Sequence, residues 1–459
     1  VSGVCTLAQI TEIEKHPNAD RLQVATVLGE KVIVGLDAKI GNYVLYFDCD
    51  CQLSQEFCDA NDLIARYDTT GIKIGGGYFD TKRRVRAQSF RGIKSNGFVC
   101  PLNYLSYCKG DEILQTAQVG YQFISINGSE ICSRYIVPVR QHSISGKQKA
   151  IRKAQVPTFL EHVDTDHIRY HLSQMLVPGD RIYVTAKVHG TSGRLHRGIN
   201  RTPYANKWLN RISWMFKPRY EHWVGSRRVI KGTTEAHQNR RFLGYKLPFL
   251  ALFFSGRGNT RGYYSDESFR FDDVQNIKLH KGETIYYEHV GFITAYQPIM
   301  PGVDLKKLPK DIQKQYKPNT DEPDKLHFKY GCFPYQRKLL VYRITWTNED
   351  GEVYELPWSL IKKRCGELQL DHVVDIASLH MSDYIRVGDL PFVQLLATYT
   401  ERPDPLDSSH YMEGVVFRVE RENGSTYFWK YKSHTFLVGE GLVKDSGQVD
   451  IEEQQSQGT

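Results

Sequence analysis

The stretch RIYVTAKVHGTSGRLHRG, Arg181 to Gly198, decides how the chain is read. As a β-strand it alternates, with Ile182, Val184, Ala186 and Val188 on an apolar face and Tyr183, Thr185, Lys187 and His189 opposite them. Gly190 and Gly193 bracket a predicted turn, and Leu195 lies in a predicted return strand, so the stretch is expected to form a hairpin. Lys187 then stands near a strand end, beside a histidine, where a glycine turn lets a ligand approach the backbone. That is a setting for a nucleophilic amine. Lys-x-x-Gly alone is too short to decide anything, and the chain carries a second copy at Lys94–Gly97.

Length and composition set the frame. A chain of 459 residues accommodates two domains, each with its own core. No apolar run approaches the ~18 residues of a membrane span, and no basic-then-apolar leader is seen, so a cytoplasmic protein without membrane contact is expected. The first residue is Val1, which leaves open a missing initiator methionine or longer leader. The nine cysteines are odd in number and form no Cys-x-x-Cys pairs, which points to free thiols. A formal charge of +8 suits a polyanionic partner without identifying one.

The N-terminal 110 residues alternate in short runs (VCTLAQITEI, LQVATV, KVIVG, NYVLYF) separated by Gly and Asn-Asp turns, the pattern of a small β-barrel. Arg83, Arg84, Arg86, Arg91 and Lys94 are candidates for a phosphate-facing patch, against the plain alternative of solvated strand positions. RQHSISGKQKAIRKA, residues 140–154, has no apolar period and reads as a basic linker. The following segment, residues 157–176, is predicted helical. In the tryptophan-rich stretch 208–223 the aromatic residues read as core rather than as a base-stacking surface. In KGETIYYEHVGFI, alternation puts Glu288 on a face with Tyr286 and Val290, odd company for a carboxylate in a plain core. In YFWKYKSHTF, Lys430 and Lys432 lie two apart and share a strand face, able to neutralise a triphosphate.

Taken together, KVHGTS at Lys187–Ser192, Ser226-Arg227, EHVG around Glu288, the strand with Tyr342, MEGVVF around Glu413, and the twin lysines resemble motifs I, Ia, III, IIIa, IV and V of the covalent nucleotidyltransferases. His189 and Gly190 fit the RNA ligase form of motif I. HPNAD at residues 16–20 resembles the OB-fold module of tRNA-binding domains, and Arg83–Leu102 continues it. An OB-like module in front of the ligase motifs, with only a short polar tail after motif V, resembles the fifth class of RNA ligases.

That resemblance implies an α+β protein. Residues 1–145 form an OB-type β-barrel, 146–154 the linker, 155–440 an ATP-grasp-like nucleotidyltransferase domain of antiparallel sheets flanked by helices, and 441–459 a disordered tail. It implies ATP-dependent sealing of 3′-OH/5′-phosphate nicks in RNA-containing duplexes by a monomer, requiring RNA at the 3′-OH side, as in RNA repair. Lys187 is then the nucleophile, with Glu413, Lys430 and Lys432 catalytic. His189, Gly190, Arg227, Glu288 and Tyr342 bind nucleotide, Glu413 partners Mg²⁺ or Mn²⁺, and Arg83, Arg84, Arg86 and Arg91 contact nucleic acid. Two departures are seen: Ala186 where many relatives have glutamate, which leaves ATP against GTP open, and Arg343 after Tyr342. The alternatives are a capping guanylyltransferase, an ATP-dependent DNA ligase and a non-catalytic OB-fold RNA-binding protein. A chain starting near residue 155 is expected to keep the lysine chemistry and lose nick sealing.

Overall fold

The computed structural model describes residues 3–49, 51–136, 156–162, 165–171, 179–199, 220–228, 230–233, 241–242, 245–246, 269–317, 324–380 and 398–445. It is a mixed α+β molecule, rich in strands and with few helices among the described residues. Among them, no helix is long and apolar enough to cross a membrane.

The N-terminal unit is built on one long strand, Cys5–Lys15. Its first half pairs antiparallel with Tyr43–Phe47 and its second half with Gln23–Val27, with the change of register between Ile10 and Glu12. An extra residue at such a point bends and twists a strand, so one strand serves both ends of a six-stranded half-barrel. Leu7, Leu45, Phe47, Leu53 and Phe57 fill one side of it, and Ile10, Val27, Val32 and Tyr46 the other. The HPNAD turn is structural here: buried His16 is bonded through Nε2 to the Phe90 carbonyl (3.0 Å), and Asn18 Nδ2 donates to the Arg91 carbonyl (2.9 Å).

Beyond it lie two sheets. One runs in the order Asp166–His167, Thr426–Lys432, Gly414–Glu420, Arg181–Lys187, Asp375–His380. The other has Thr191–Gly198 between Glu221–Gly225 and Glu283–Gly291, continuing to Arg337–Thr347. Arg181–Lys187 and Thr191–Gly198 therefore do not form the expected hairpin. Both edges of each strand are taken by other partners, and the chain crosses between sheets at Val188–Gly190. Gly193 is not a turn residue; it sits in mid-strand, where a Cβ would meet the Tyr287 ring at 2.3 Å. The apolar face read from sequence is correct, with Ile182, Val184, Ala186 and Val188 all buried.

The helix expected over 157–176 is also absent where the chain is described. Asp166–His167 is a short strand parallel to Thr426–Lys432, followed by a 3₁₀ turn, Ile168–Tyr170. Trp358–Leu368 is a helix. His434–Asp445 is a helix too, so residues 441–445 are ordered helix rather than tail. The linker 146–154, the end of the tail and most of the tryptophan-rich stretch lie outside the described residues. Trp223 is described and buried, as a core residue should be.

The two units meet through polar groups, most of them buried. Arg169 pairs with Glu30 (3.1 Å), both almost fully buried, and also donates to Tyr46 Oη. Asn96 Nδ2 donates to Glu30 Oε2 (2.7 Å), its Oδ1 meets His434 Nδ1 (2.5 Å), and Lys94 pairs with Glu401 (2.8 Å). The Lys94–Gly97 copy of the tetrapeptide is thus spent on this contact.

Candidate active site

The lysine strand is central in its sheet, and its register builds the site. Lys187 lies opposite Gly414, which lies opposite Lys432 on the next strand. Residues in one row across a sheet point to one side, so Lys187 and Lys432 share a face with an empty position between them. That position must be glycine, because a Cβ on Gly414 would lie 2.1 Å from the Tyr431 carbonyl oxygen. Lys430 lies one row further, opposite Val416, on the same face. Glu413 precedes the glycine, and its carboxylate accepts from Lys187 Nζ at 2.6 Å. The Glu413 side chain is 4% exposed and that of Lys187 24%, so the amine sits at the edge of solvent with its counter-ion beneath it.

Electrostatics fix the charge states of the neighbours. Burial works to raise the Glu413 pKa, but the positive field of Lys187, with smaller contributions from its other neighbours, holds it below the usual carboxylate range. Glu413 is therefore ionised at neutral pH. His189 is driven the other way: burial lowers its pKa to about 4, so its ring is neutral. The ring meets Phe328 and Phe436 edge-on, with centroids 5.1 and 5.0 Å away. Its backbone amide donates to Tyr330 Oη (2.6 Å). Lys432 Nζ pairs with Glu440 of the following helix (2.8 Å).

The crossover brings the second sheet to this row. Gly190 passes so close to the Glu283–Gly291 strand that a Cβ would lie 2.8 Å from the His289 carbonyl oxygen. Ser192 Oγ donates to Glu288 Oε1 (2.9 Å), and Ser192 and Glu288 are direct partners in register. Behind them, Asp273 holds both His289 (2.7 Å) and Arg337 (2.7 Å). Tyr342 falls at a bulge, where Tyr286 pairs with Arg343 and Tyr287 with Val341. Its ring lies 5.5 Å from His162, which is 5.9 Å from Tyr286. His162 in turn donates its amide to the Arg227 carbonyl (3.1 Å). Arg343 is no acidic residue, and it is used structurally, paired with Glu355 and stacked over Tyr286 at 4.7 Å.

Lys187, His189, Gly190, Glu288, Glu413, Lys430 and Lys432 are thus brought to the meeting of the two sheets, while Tyr342 and Arg227 lie beside His162. The arginine patch is not assembled as expected. Arg84 is buried over the Tyr135 ring (4.8 Å) and donates to the Gly441 carbonyl (3.2 Å), so it joins the two units instead of facing phosphate. Arg86 is paired with Asp80 (2.5 Å), and Arg91 is exposed, donating to the Asn18 carbonyl (2.9 Å). Arg83 is half-buried, with a positive φ of 53°. Sequence reasoning missed Glu440 and Tyr330. Glu440 lies eight residues after Lys432, where two helical turns return it to the strand end, and could have been sought there; nothing local marks Tyr330.

Among the described residues, no group of three or more His, Cys, Asp or Glu is arranged to hold a metal ion. One buried carboxylate among lysines suits a cation shared with phosphate oxygens and water rather than one held by a protein cage.

No protein-family model and no curated protein matches the chain. Among solved structures, the chain is similar to the Naegleria gruberi RNA ligase with pyrophosphate, at 15% identity and a TM-score of 0.53, over 95% of this chain and 98% of that one. A variant of that ligase with AMP and Mn matches at 14% identity and a TM-score of 0.52, over 94% of this chain and 97% of that one. An apo variant matches at 15% identity and 0.51, over 95% and 98%. What is shared at this identity is the fold.

Proposed function

We propose that the chain is an ATP-dependent RNA ligase that seals 3′-OH/5′-phosphate nicks in RNA-containing duplexes through a lysyl-adenylate on Lys187. The observation that carries this reading is the row Lys187–Gly414–Lys432 with Glu413 2.6 Å from the amine. A solvated edge strand has no reason to keep a carboxylate buried beneath one lysine and a glycine gap between two. The fold shared with an RNA ligase solved with pyrophosphate, AMP and Mn supports it.

Three transfers follow. Lys187 Nζ, as the neutral amine, attacks the α-phosphorus of ATP; a P–N bond forms and the bond to pyrophosphate breaks. The 5′-phosphate oxygen at the nick then attacks the same phosphorus, the P–N bond breaks, and an adenylylated 5′ end results. Finally the 3′-OH attacks the 5′-phosphorus, AMP leaves, and the phosphodiester is made. Glu413 orients the amine, and because it stays ionised it does not keep the proton that Lys187 sheds. Lys430 and Lys432 face the phosphates and offset the charge that builds on the leaving group. Glu288 and Tyr342 are the candidates for ribose and base, with Arg227 nearby. Glu413 is the protein's candidate ligand for Mg²⁺ or Mn²⁺, which when bound supplies further positive charge at the phosphates.

The N-terminal half-barrel reads as the OB-type module that engages the nick, with Arg83, Arg86 and Arg91 its remaining candidates for phosphate contact. All nine cysteines are free, which suits a reducing, cytoplasmic setting for a monomeric enzyme. Incubation with labelled ATP or GTP and a divalent cation, followed by a denaturing gel, tests the reading. Label from ATP is expected. Label from GTP alone supports a capping guanylyltransferase, and no label supports a non-catalytic RNA-binding protein. Nicks differing only in the sugar at the 3′-OH side separate RNA from DNA sealing.

A further inference from the structure

Two adjoining turns at one end of the second sheet carry three exposed aromatic rings. Tyr296 is 76% exposed, Phe333 70% and Tyr335 67%. Single exposed apolar residues are ordinary on a protein surface and need no explanation. These three differ in how firmly they are held out, and in where.

The turns are braced from several sides. The Phe292 amide donates to the Gln336 carbonyl (2.9 Å), joining them, and Ile293 donates to the Gln297 carbonyl (2.8 Å) within the first. In the second, Phe333 donates to Gln336 Oε1 (3.1 Å) and Gln336 donates back to the Phe333 carbonyl (2.8 Å). Gly331 donates to Asp407 Oδ2 (3.1 Å). Tyr330, Gly331 and Tyr335 all take positive φ, at 50°, 70° and 65°. That conformation is costly for a tyrosine, so the turn is over-determined by its surroundings. Pro334 further limits Phe333 to extended backbone.

The location links the turns to the nucleophile. Tyr330, three residues before Phe333, accepts the amide of His189, two residues beyond Lys187. Glu288 and Gly291 lie on one strand, about 10 Å apart by strand rise, and the first turn starts straight after Gly291. In the segment KYGCFPYQRK, residues 329–338, Lys329 and Lys338 lie close in sequence to the two rings, while Arg337 is held by Asp273.

We propose that Tyr296, Phe333 and Tyr335 form a stacking platform for the bases of the polynucleotide strand presented to Lys187. The proposal rests on the ligase reading above. Rigid aromatic rings stack on any base, because every base has a π face, and flanking cations suit the sugar-phosphate backbone. A sealing enzyme that acts on many sequences needs such a sequence-tolerant hold beside its nucleophile.

The test uses the full chain with Tyr296, Phe333 and Tyr335 all changed to alanine, beside a conservative chain with Tyr296→Phe, Phe333→Tyr and Tyr335→Phe. Two readouts are taken: adenylylation from ATP and Mg²⁺ without nucleic acid, and binding of a nicked RNA duplex carrying 2-aminopurine next to the nick. The alanine chain should adenylylate like wild type but bind the duplex about ten-fold or more weakly and lose the stacking quench. The conservative chain should keep both. Wild-type affinity and quench in an adenylylating alanine chain would overturn the platform and leave the rings to a protein partner. Loss of adenylylation in the alanine chain would also overturn it, by placing the rings in the nucleotide site or the fold. A wild-type chain that forms no adenylate but shows the quench overturns the ligase reading and keeps the platform.

Discussion

At the scale of single residues, changes of similar size should have unequal consequences. Lys187→Ala should abolish label transfer from ATP yet leave phosphodiester formation on a pre-adenylylated nick measurable, because the amine is needed only for the first two transfers. Gly414→Ala should lose adenylylation and several degrees of melting temperature, since its Cβ would lie 2.1 Å from a backbone oxygen. Gly366→Ala, in the Trp358–Leu368 helix with nothing within 4 Å of its Cβ, should be neutral or stabilising by up to about 1 kcal/mol. Thermal scans with an adenylylation assay compare the two. The side chains proposed to carry the chemistry (Lys187, Glu413, Lys430, Lys432) can be picked out from sequence because residue type and period-2 spacing are local facts. The need for glycine at 414 cannot, because it depends on the neighbouring strand's register. Arg84 misled for the same reason: an arginine among arginines reads as surface until its tyrosine partner, Tyr135, is known.

At the scale of elements, the crossover at Val188–Gly190 is the feature that sequence could not supply. Two strands separated by glycines have one alternation pattern whether they pair with each other or enter different sheets; only the competition for edges decides. The closing helix, His434–Asp445, matters in the same way. It returns Glu440 to Lys432, so the carboxylate competes with any phosphate for that amine. Glu440→Gln should therefore lower the apparent KM for ATP by a factor of a few, the scale of a partly exposed pair whose side chains are 18% and 21% exposed; a rise in KM would instead make Glu440 part of the nucleotide site. The helix start also contributes to acid sensitivity. His434 and His189 have pKa values lowered by burial to about 4, and His196 to about 3. Each is neutral in the folded state and takes a proton more readily when unfolded. Their stabilising contribution is present above the unfolded value near 6.5 and declines as pH falls from there towards 4 and 3, each unit being worth about 1.4 kcal/mol. Urea unfolding across pH 7 to 4 should show this loss, reduced in a His196→Phe chain.

At the scale of the whole molecule, the two units are joined by charge buried between them. Separate apolar cores made the chain look divisible near residue 155, and the composition of the segments agrees with that division. The Glu30–Arg169 pair changes what a cut should do. Arg169 lies two residues from His167, which is paired in register with Lys430, so the N-terminal unit clamps the edge next to the lysines proposed to face the triphosphate. Glu30→Ala should cost about 3–5 kcal/mol, the usual scale for leaving a buried charge without its partner. A chain starting at 155 should form lysyl-adenylate more slowly than the full protein, not merely seal nicks poorly; equal rates in a single-turnover assay would show that the clamp is irrelevant to the chemistry. The claim on which everything else depends is the covalent one, and intact-protein mass after incubation with ATP and Mg²⁺ tests it most directly. The account predicts one adenylyl increment on the wild-type chain, located to the peptide containing Lys187, and none on Lys187→Ala. An increment that persists on Lys187→Ala, or its absence from a folded wild-type chain, would contradict it.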